Sequence, residues 1–288
     1  MNKKITFSAP GKIIISGEHA VVYGYPALVA AVDRRIYLEL KLNKDFWKWR
    51  FRSGVSGISG MGSSAAYATL EAAGLSWIVN QKLDLEKISR IAHEIENLAH
   101  GTASGVDTTI VTYGGILKYE KQEKFNKINN LNKINKIPKF LIVNTGKPAE
   151  TTGMLVEMVS EKRKAKSEKL QFKTKNLIKD IGQLPEKFVK ALKEGDLNAL
   201  SDLIKENERL LEKLGVVGEI AKKIVRDIEE IGGVAKICGA GGIKKGSGIA
   251  LVYHKDLDVI RKYCRRKKLE CFEVELGGEG VRREKERL

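Results

Sequence analysis

No stretch of this chain constrains its fold as tightly as Gly60-Met61-Gly62-Ser63-Ser64-Ala65-Ala66. Two glycines flank a bulky residue, two hydroxyls follow, and small residues continue at Ala68, Ala72 and Ala73. That order describes a loop turning into a buried helix. The free N–H groups at a helix start, with the macrodipole, make an anion site. Glycine lets a phosphate approach the backbone with no side chain in the way. The two serines either cap the helix or reach a metal ion. A glycine turn before an ordinary capped core helix would contain the same residues, so the loop alone leaves both readings open. No lysine follows the second glycine, which excludes the Gly-x-x-x-x-Gly-Lys phosphate loop. The dinucleotide spacing Gly-x-Gly-x-x-Gly, with its downstream acidic residue, is also absent. A nucleotide here must be held by a different fold.

Around this loop the periodicity alternates between strand and helix. Residues 4–7 and 12–16 read as two strands broken at Pro10-Gly11. Residues 35–42 alternate as a half-buried strand, and 47–51 would pair with it. Residues 65–79 read as a buried helix. An amphipathic helix over 85–99 carries Leu85, Ile88, Ile91, Ala92, Ile95, Leu98 and Ala99 on one face, with Asp84 as its N-cap. The lysine-, asparagine- and isoleucine-rich stretch 121–138 reads as a hairpin tip or linker. It sets the domain boundary, 1–136 and 137–288. Beyond it come a strand at 140–144, helices at 152–170, 185–193, 197–214 and 216–231, strands at 235–238 and 248–253, a helix at 257–268 and a strand at 270–275. Strands followed by helices in each half mean α+β.

Composition narrows the function classes. At 288 residues and 42% apolar content, the chain can bury one large core or two ordinary ones. No apolar run is long enough to cross a membrane, and Met1-Asn2-Lys3-Lys4 leads into a strand-like stretch rather than a signal peptide. Cys238, Cys264 and Cys271 lack disulfide or zinc spacing, which points to a reducing cytoplasm. A net charge of +16 attracts anions, but the lysines are spread through 118–139, 162–175 and 262–268 without interleaved aromatics. Most of that charge is therefore a solvated surface, and nucleic-acid binding is not expected.

Several residues stand where chemistry would need them. Asp107 closes the string Gly101-Thr102-Ala103-Ser104-Gly105-Val106-Asp107, as a turn or cap residue or as a carboxylate pointing into a cleft. Lys12 precedes the apolar Ile13-Ile14-Ile15; a cation entering a buried strand is either paired, with Asp107 as a plausible partner, or snorkels at the edge. Glu96 lies on the amphipathic helix beside Glu94 and reads first as an exposed helix glutamate. His19, between Gly17 and Gly24, reads first as structural.

Three segments together resemble the GHMP family of small-molecule kinases. They are the loop at 60–66, Ser8-Ala9-Pro10-Gly11-Lys12 running on to Gly17-Glu18-His19-Ala20-Val21-Val22-Tyr23-Gly24, and Glu96-Asn97-Leu98-Ala99-His100 leading to Asp107. The Gly-Glu-His string is similar to the branch that phosphorylates mevalonate. The resemblance implies a two-domain fold, with an N-terminal β-α-β domain containing a left-handed unit and a ferredoxin-like C-terminal domain. It implies ATP as phosphoryl donor, held by Gly60, Met61, Gly62, Ser63, Ser64, Ala65, Gly239, Ala240 and Gly241. Magnesium would be held by Ser64 and Glu96, since Glu96 and not Glu94 keeps the family spacing. Asp107 and Lys12 would be catalytic, and Lys12, Glu18, His19, Asp107 and Thr151 would face the acceptor. The expected reaction is phosphorylation of the mevalonate 5-hydroxyl, with phosphomevalonate or another small-molecule acceptor as the alternative and a non-catalytic sensor as the remote one. A homodimer is left open. The chain departs from the family pattern at the insertion 243–247, at Ala149 where an arginine is common, and at Ala103 where a proline is common.

Overall fold

The computed structural model describes residues 4–43, 46–53, 60–100, 104–122, 127–131, 134 and 137–285. The expected break at Pro10-Gly11 does not end a strand. β1 runs unbroken over Lys4–Ser16, with a register shift between Pro10, opposite Arg35, and Lys12, opposite Ala31. A bulge is where a sheet tolerates proline, because one ladder hydrogen bond is already given up.

β1 pairs along β2, Pro26–Asn43, which is more than twice as long as the strand its alternation suggests. Ala27, Leu28, Val29, Ala30, Ala31 and Val32 are fully buried, so the first half has no polar face to mark it. The outer half of β2 pairs with β3, Phe46–Ser53, as expected. Gly62 caps α1, Ser63–Asn80, and Asp84 caps α2, Leu85–His100, accepting from the Lys87 amide at 3.2 Å. Leu98, expected on the apolar face, is exposed. A short helix α3, Val106–Tyr113, follows, then β4, Ile116–Glu120, and β5, Lys127–Asn130. The first sheet has the order β10-β1-β2-β4-β5, where β10 is Arg282–Arg283, and β3 shares with β4 the edge of β2 opposite β1. Of the low-complexity stretch, 123–126, 132–133 and 135–136 lie outside the described residues, as do 101–103 of the Asp107 string.

β6, Phe140–Gly146, opens the second sheet. The helix expected over 152–170 is two pieces: α4, Thr152–Arg163, and the start of α5, Glu168–Glu194, capped by Ser167. α5 runs straight through Pro185, where the sequence suggests a fresh start. The buried stripe Leu177, Ile178, Ile181, Leu184, Phe188 and Leu192 continues across it. That burial offsets the cost of about 3 kcal/mol for an interior proline. α6, Leu197–Leu214, begins at the Asp196 cap and stops at Gly215. Then come α7, Glu219–Glu230, β7, Val234–Cys238, β8, Gly248–Tyr253, α8, Leu257–Lys267, and β9, Cys271–Val274. The second sheet is antiparallel in the order β7-β8-β6-β9. With α7 and α8 packed on Leu141, Val143, Ala250 and Val252, this is the ferredoxin-like β-α-β-β-α-β arrangement. After β9 the chain returns to the first sheet, where β10 pairs with Phe7 and Ser8. No described helix is long and apolar enough to cross a membrane.

Candidate active site

The bulge in β1 presents Lys12, whose side chain is 4% exposed. Its Nζ lies 3.0 Å from Asp107 Oδ2. Of the two readings of Lys12, the paired one therefore holds. A buried ammonium without a counter-charge would cost several kcal/mol, so this pairing is what keeps it there. Asp107 sits in the first turn of α3, behind the Gly105 cap, and its side chain remains 35% exposed. Its Oδ1 accepts no hydrogen bond from any described residue. The pair thus combines a neutralised cation with a spare carboxylate acceptor. Tyr119 donates to Ser104 O at 2.7 Å beneath this turn, and burial, followed by the charge of Asp107, pushes its phenol pKa upward.

The first glycine loop is stitched to this pair. The Lys12 amide donates to Met61 O at 2.9 Å, and Met61 is fully buried. A Cβ at Gly62 would stand 2.6 Å from Lys12 Cγ, and Gly62 adopts φ +72. Only glycine allows both the left-handed cap and the close passage of the lysine stem. Gly62 itself is the N-cap of α1, so neither Ser63 nor Ser64 caps the helix with its side chain. Ser64 Oγ donates to Glu96 Oε1, and Glu96 is 9% exposed, not the solvated helix glutamate its sequence position suggests. Ser63 and Ala65 complete the first turn.

The second glycine loop joins β7 to β8. A side chain at Gly60 would meet Ile249 and the Cys238 carbonyl, so the two glycine loops lie side by side. His19 reaches across to the second: its Nε2 donates to Ala240 O at 3.0 Å. Burial pulls the His19 imidazole down to about 4; the Ala240 bond acts the other way, and the charge of Lys162 adds to the lowering. A histidine held neutral in the fold loses stability as pH falls. The contribution is complete above the unfolded value near 6.5 and disappears toward about 4, amounting to about 3 kcal/mol. Denaturant melts of His19→Gln, which keeps a donor and cannot titrate, should show a shallower decline between pH 6.5 and 4 than the native chain. Equal slopes would remove His19 from this role.

The remaining expected residues have other partners. Thr151 caps α4, its hydroxyl accepting from the Met154 amide at 3.2 Å. Next to it Glu150 accepts from the amides of Ile243 and Lys244, both at 3.2 Å, and so pins the insertion 243–247. Lys244 and Lys245 are exposed at its tip, while Ser247 is buried, donating to Gly242 O at 2.8 Å. Glu18 is 1% exposed and is engaged by the fully buried Lys236 ammonium rather than facing the cleft. Two more buried polar residues belong to no motif in the sequence. Glu208 Oε2 accepts from the Ile237 amide at 2.8 Å, and Asn207 Oδ1 accepts from Ser16 Oγ at 2.6 Å. Burial pushes the Glu208 carboxyl up to about 7, against the pull of that amide and of Lys236. A weaker signal exists. Positions 207 and 208 fall on the apolar stripe of α6 between Leu203, Ile204 and Leu211, and Lys236 interrupts Val234-Ala235-Ile237.

Residues 27–115 match the family described as GHMP kinases N terminal domain. A curated mevalonate kinase of Archaeoglobus fulgidus is 30% identical over 270 residues, covering 82% of this chain and 88% of the relative. Among solved structures, L. major mevalonate kinase in complex with R-mevalonate superposes with a TM-score of 0.79 at 23% identity, covering 94% of this chain and 96% of that one. Lactococcus lactis galactokinase complexed with galactose gives 0.80 at 15% identity, covering 97% and 95%. The two structures show a shared fold and do not by themselves choose an acceptor. The sequence relationship, continuous over most of both chains, does establish the lineage: this protein belongs to the GHMP kinase family.

Proposed function

We propose that the protein transfers the γ-phosphoryl group of ATP to the 5-hydroxyl of mevalonate. The observation that carries the reading is the Lys12–Asp107 pair beside the first glycine loop, in a chain whose curated relatives are mevalonate kinases at 26–30% identity. Phosphoryl transfer requires positioning and charge stabilisation more than covalent help. Asp107 accepts or orients the proton of the acceptor hydroxyl with its part-exposed carboxylate. Lys12 lowers the cost of negative charge on that oxygen and on the transferring group. The amides at the start of α1 and in the loop 239–242 receive the phosphates. The two sheets form two lobes, divided near 136/137, with the transfer site in the cleft between them.

The donor set fits magnesium. Among the described residues no cluster of three or more His, Cys, Asp or Glu could hold a metal. A hydroxyl and one carboxylate, Ser64 and Glu96, suit a hard cation that takes its other ligands from phosphates and water. When bound, magnesium supplies neutralisation of phosphate charge. Ser64→Ala and Glu96→Gln should each shift the magnesium dependence of the rate to higher concentration, with partial recovery at high magnesium. A titration curve identical to the native one would remove both residues from the metal site.

A coupled assay of ADP release with mevalonate, phosphomevalonate and galactose tests the acceptor. Turnover is expected with mevalonate. Preference for either other acceptor would replace this reading by that kinase activity. ADP release with none of them would remove all three as substrates.

A further inference from the structure

β7 is the edge strand of its sheet, and that edge is buried against α6 and the end of β1. Its outward backbone groups therefore need partners other than water. Ile237 finds them in two side chains. Its amide donates to Glu208 Oε2 at 2.8 Å, and its carbonyl accepts from Lys236 Nζ at 2.8 Å. The same ammonium donates to Glu18 and lies 3.4 Å from Ile14 O on β1. One residue earlier on α6, Asn207 holds Ser16. Lys236 and Glu208 are fully buried and Glu18 nearly so. These groups form a polar seam between the two sheets.

The place of the seam gives it meaning. It begins two residues after Lys12 and includes Glu18, the neighbour of His19. It ends at Ile237, two residues before Gly239. Replacing a buried ion pair by packed apolar groups is often neutral for stability, but apolar groups could not pair the outward amide and carbonyl of Ile237. What ions and directed hydrogen bonds add is fixed register.

We propose that Lys236 and Glu208 are positioning residues for phosphoryl transfer, fixing the loop 239–242 against the Lys12–His19 segment so that both walls of the nucleotide cleft move as one body. The inference rests on the kinase reading above, although its test reads nucleotide binding separately from acceptor turnover.

Three variants decide it: Glu208→Leu, Glu208→Gln, and the double change Glu18→Leu with Lys236→Met, which removes both members of the Glu18–Lys236 ion pair together. Each is measured for the Kd of a fluorescent ATP analogue and for kcat and both KM values. Results are scaled to folded protein, read by circular dichroism in the same solution. Glu208→Leu and the double variant should bind nucleotide at least fivefold more weakly or lose at least tenfold in kcat. Glu208→Gln, whose amide oxygen still accepts from Ile237, should recover to within threefold of the native protein. Native values in both the Leu and the double variants overturn the proposal, and so does a Gln variant as defective as the Leu variant. Failure of both apolar variants to fold assigns the seam to stability alone and overturns it too. If the native protein turns over no mevalonate, the acceptor reading fails while the nucleotide Kd still decides this one.

Discussion

Asp107→Asn is expected to lower kcat by about two to four orders of magnitude, the range of general-base contributions. Asn keeps the shape of the side chain and a carbonyl oxygen where Oδ2 meets Lys12 at 3.0 Å. It loses the negative charge that balances an ammonium with 4% exposure, and it loses the basicity of the carboxylate. An interaction made only in the transition state lowers kcat and kcat/KM together, so KM for ATP should change by no more than a few-fold. The stability cost falls on Lys12, whose buried ammonium is left without its counter-charge; water at the one-third-exposed carboxylate position screens only part of that loss, so rates are scaled to folded protein. Steady-state kinetics with saturating ATP and acceptor give the answer. A kcat within threefold of native would mean that Asp107 is a counter-charge for Lys12 and nothing more.

The second large effect is structural and belongs to the loop 239–242. A Cβ on Gly241 would stand 2.0 Å from the Val216 carbonyl oxygen, and the residue adopts φ +83. The obstacle is backbone, anchored where Val216 O also accepts the Gly242 amide at 3.0 Å. It cannot swing aside as a side chain end would. Gly241→Ala should therefore cost about 2–5 kcal/mol, combining left-handed strain with overpacking. Gly239 provides the comparison. It has φ +86, but a methyl group there would meet nothing within 4 Å, so Gly239→Ala should show the strain alone, about 1–2 kcal/mol. Denaturant melts of the two variants separate the contributions. Equal losses would mean that Val216 yields, and that the loop is softer than its contacts suggest.

Much of this protein is legible in local pattern. α6 and β8 have the bounds their periodicity suggests, because Asp196 and Gly215 punctuate the helix and β8 stands between a glycine and a turn. Lys12, Ser64, Glu96 and Asp107 stand out by motif, and the fold brings Lys12 to Asp107 and Ser64 to Glu96. Where local signals conflict with long-range burial, the pattern misleads. Pro10 and Pro185 look like breaks, yet a bulge absorbs one and a continuous buried stripe carries the helix through the other.

The lineage, the glycine loops and most element types can be read along the chain, because they depend on residues near one another in it. Which polar residues are partners emerges from the folded molecule. Glu18 meets Lys236 across 218 positions, and His19 meets Ala240 across 221. Such pairings have no local signature. They follow from desolvation: once β1, α6 and β7 close on one another, each buried charge must find its counter-charge and each backbone group its hydrogen bond, and the assembled fold alone shows which partners lie within reach.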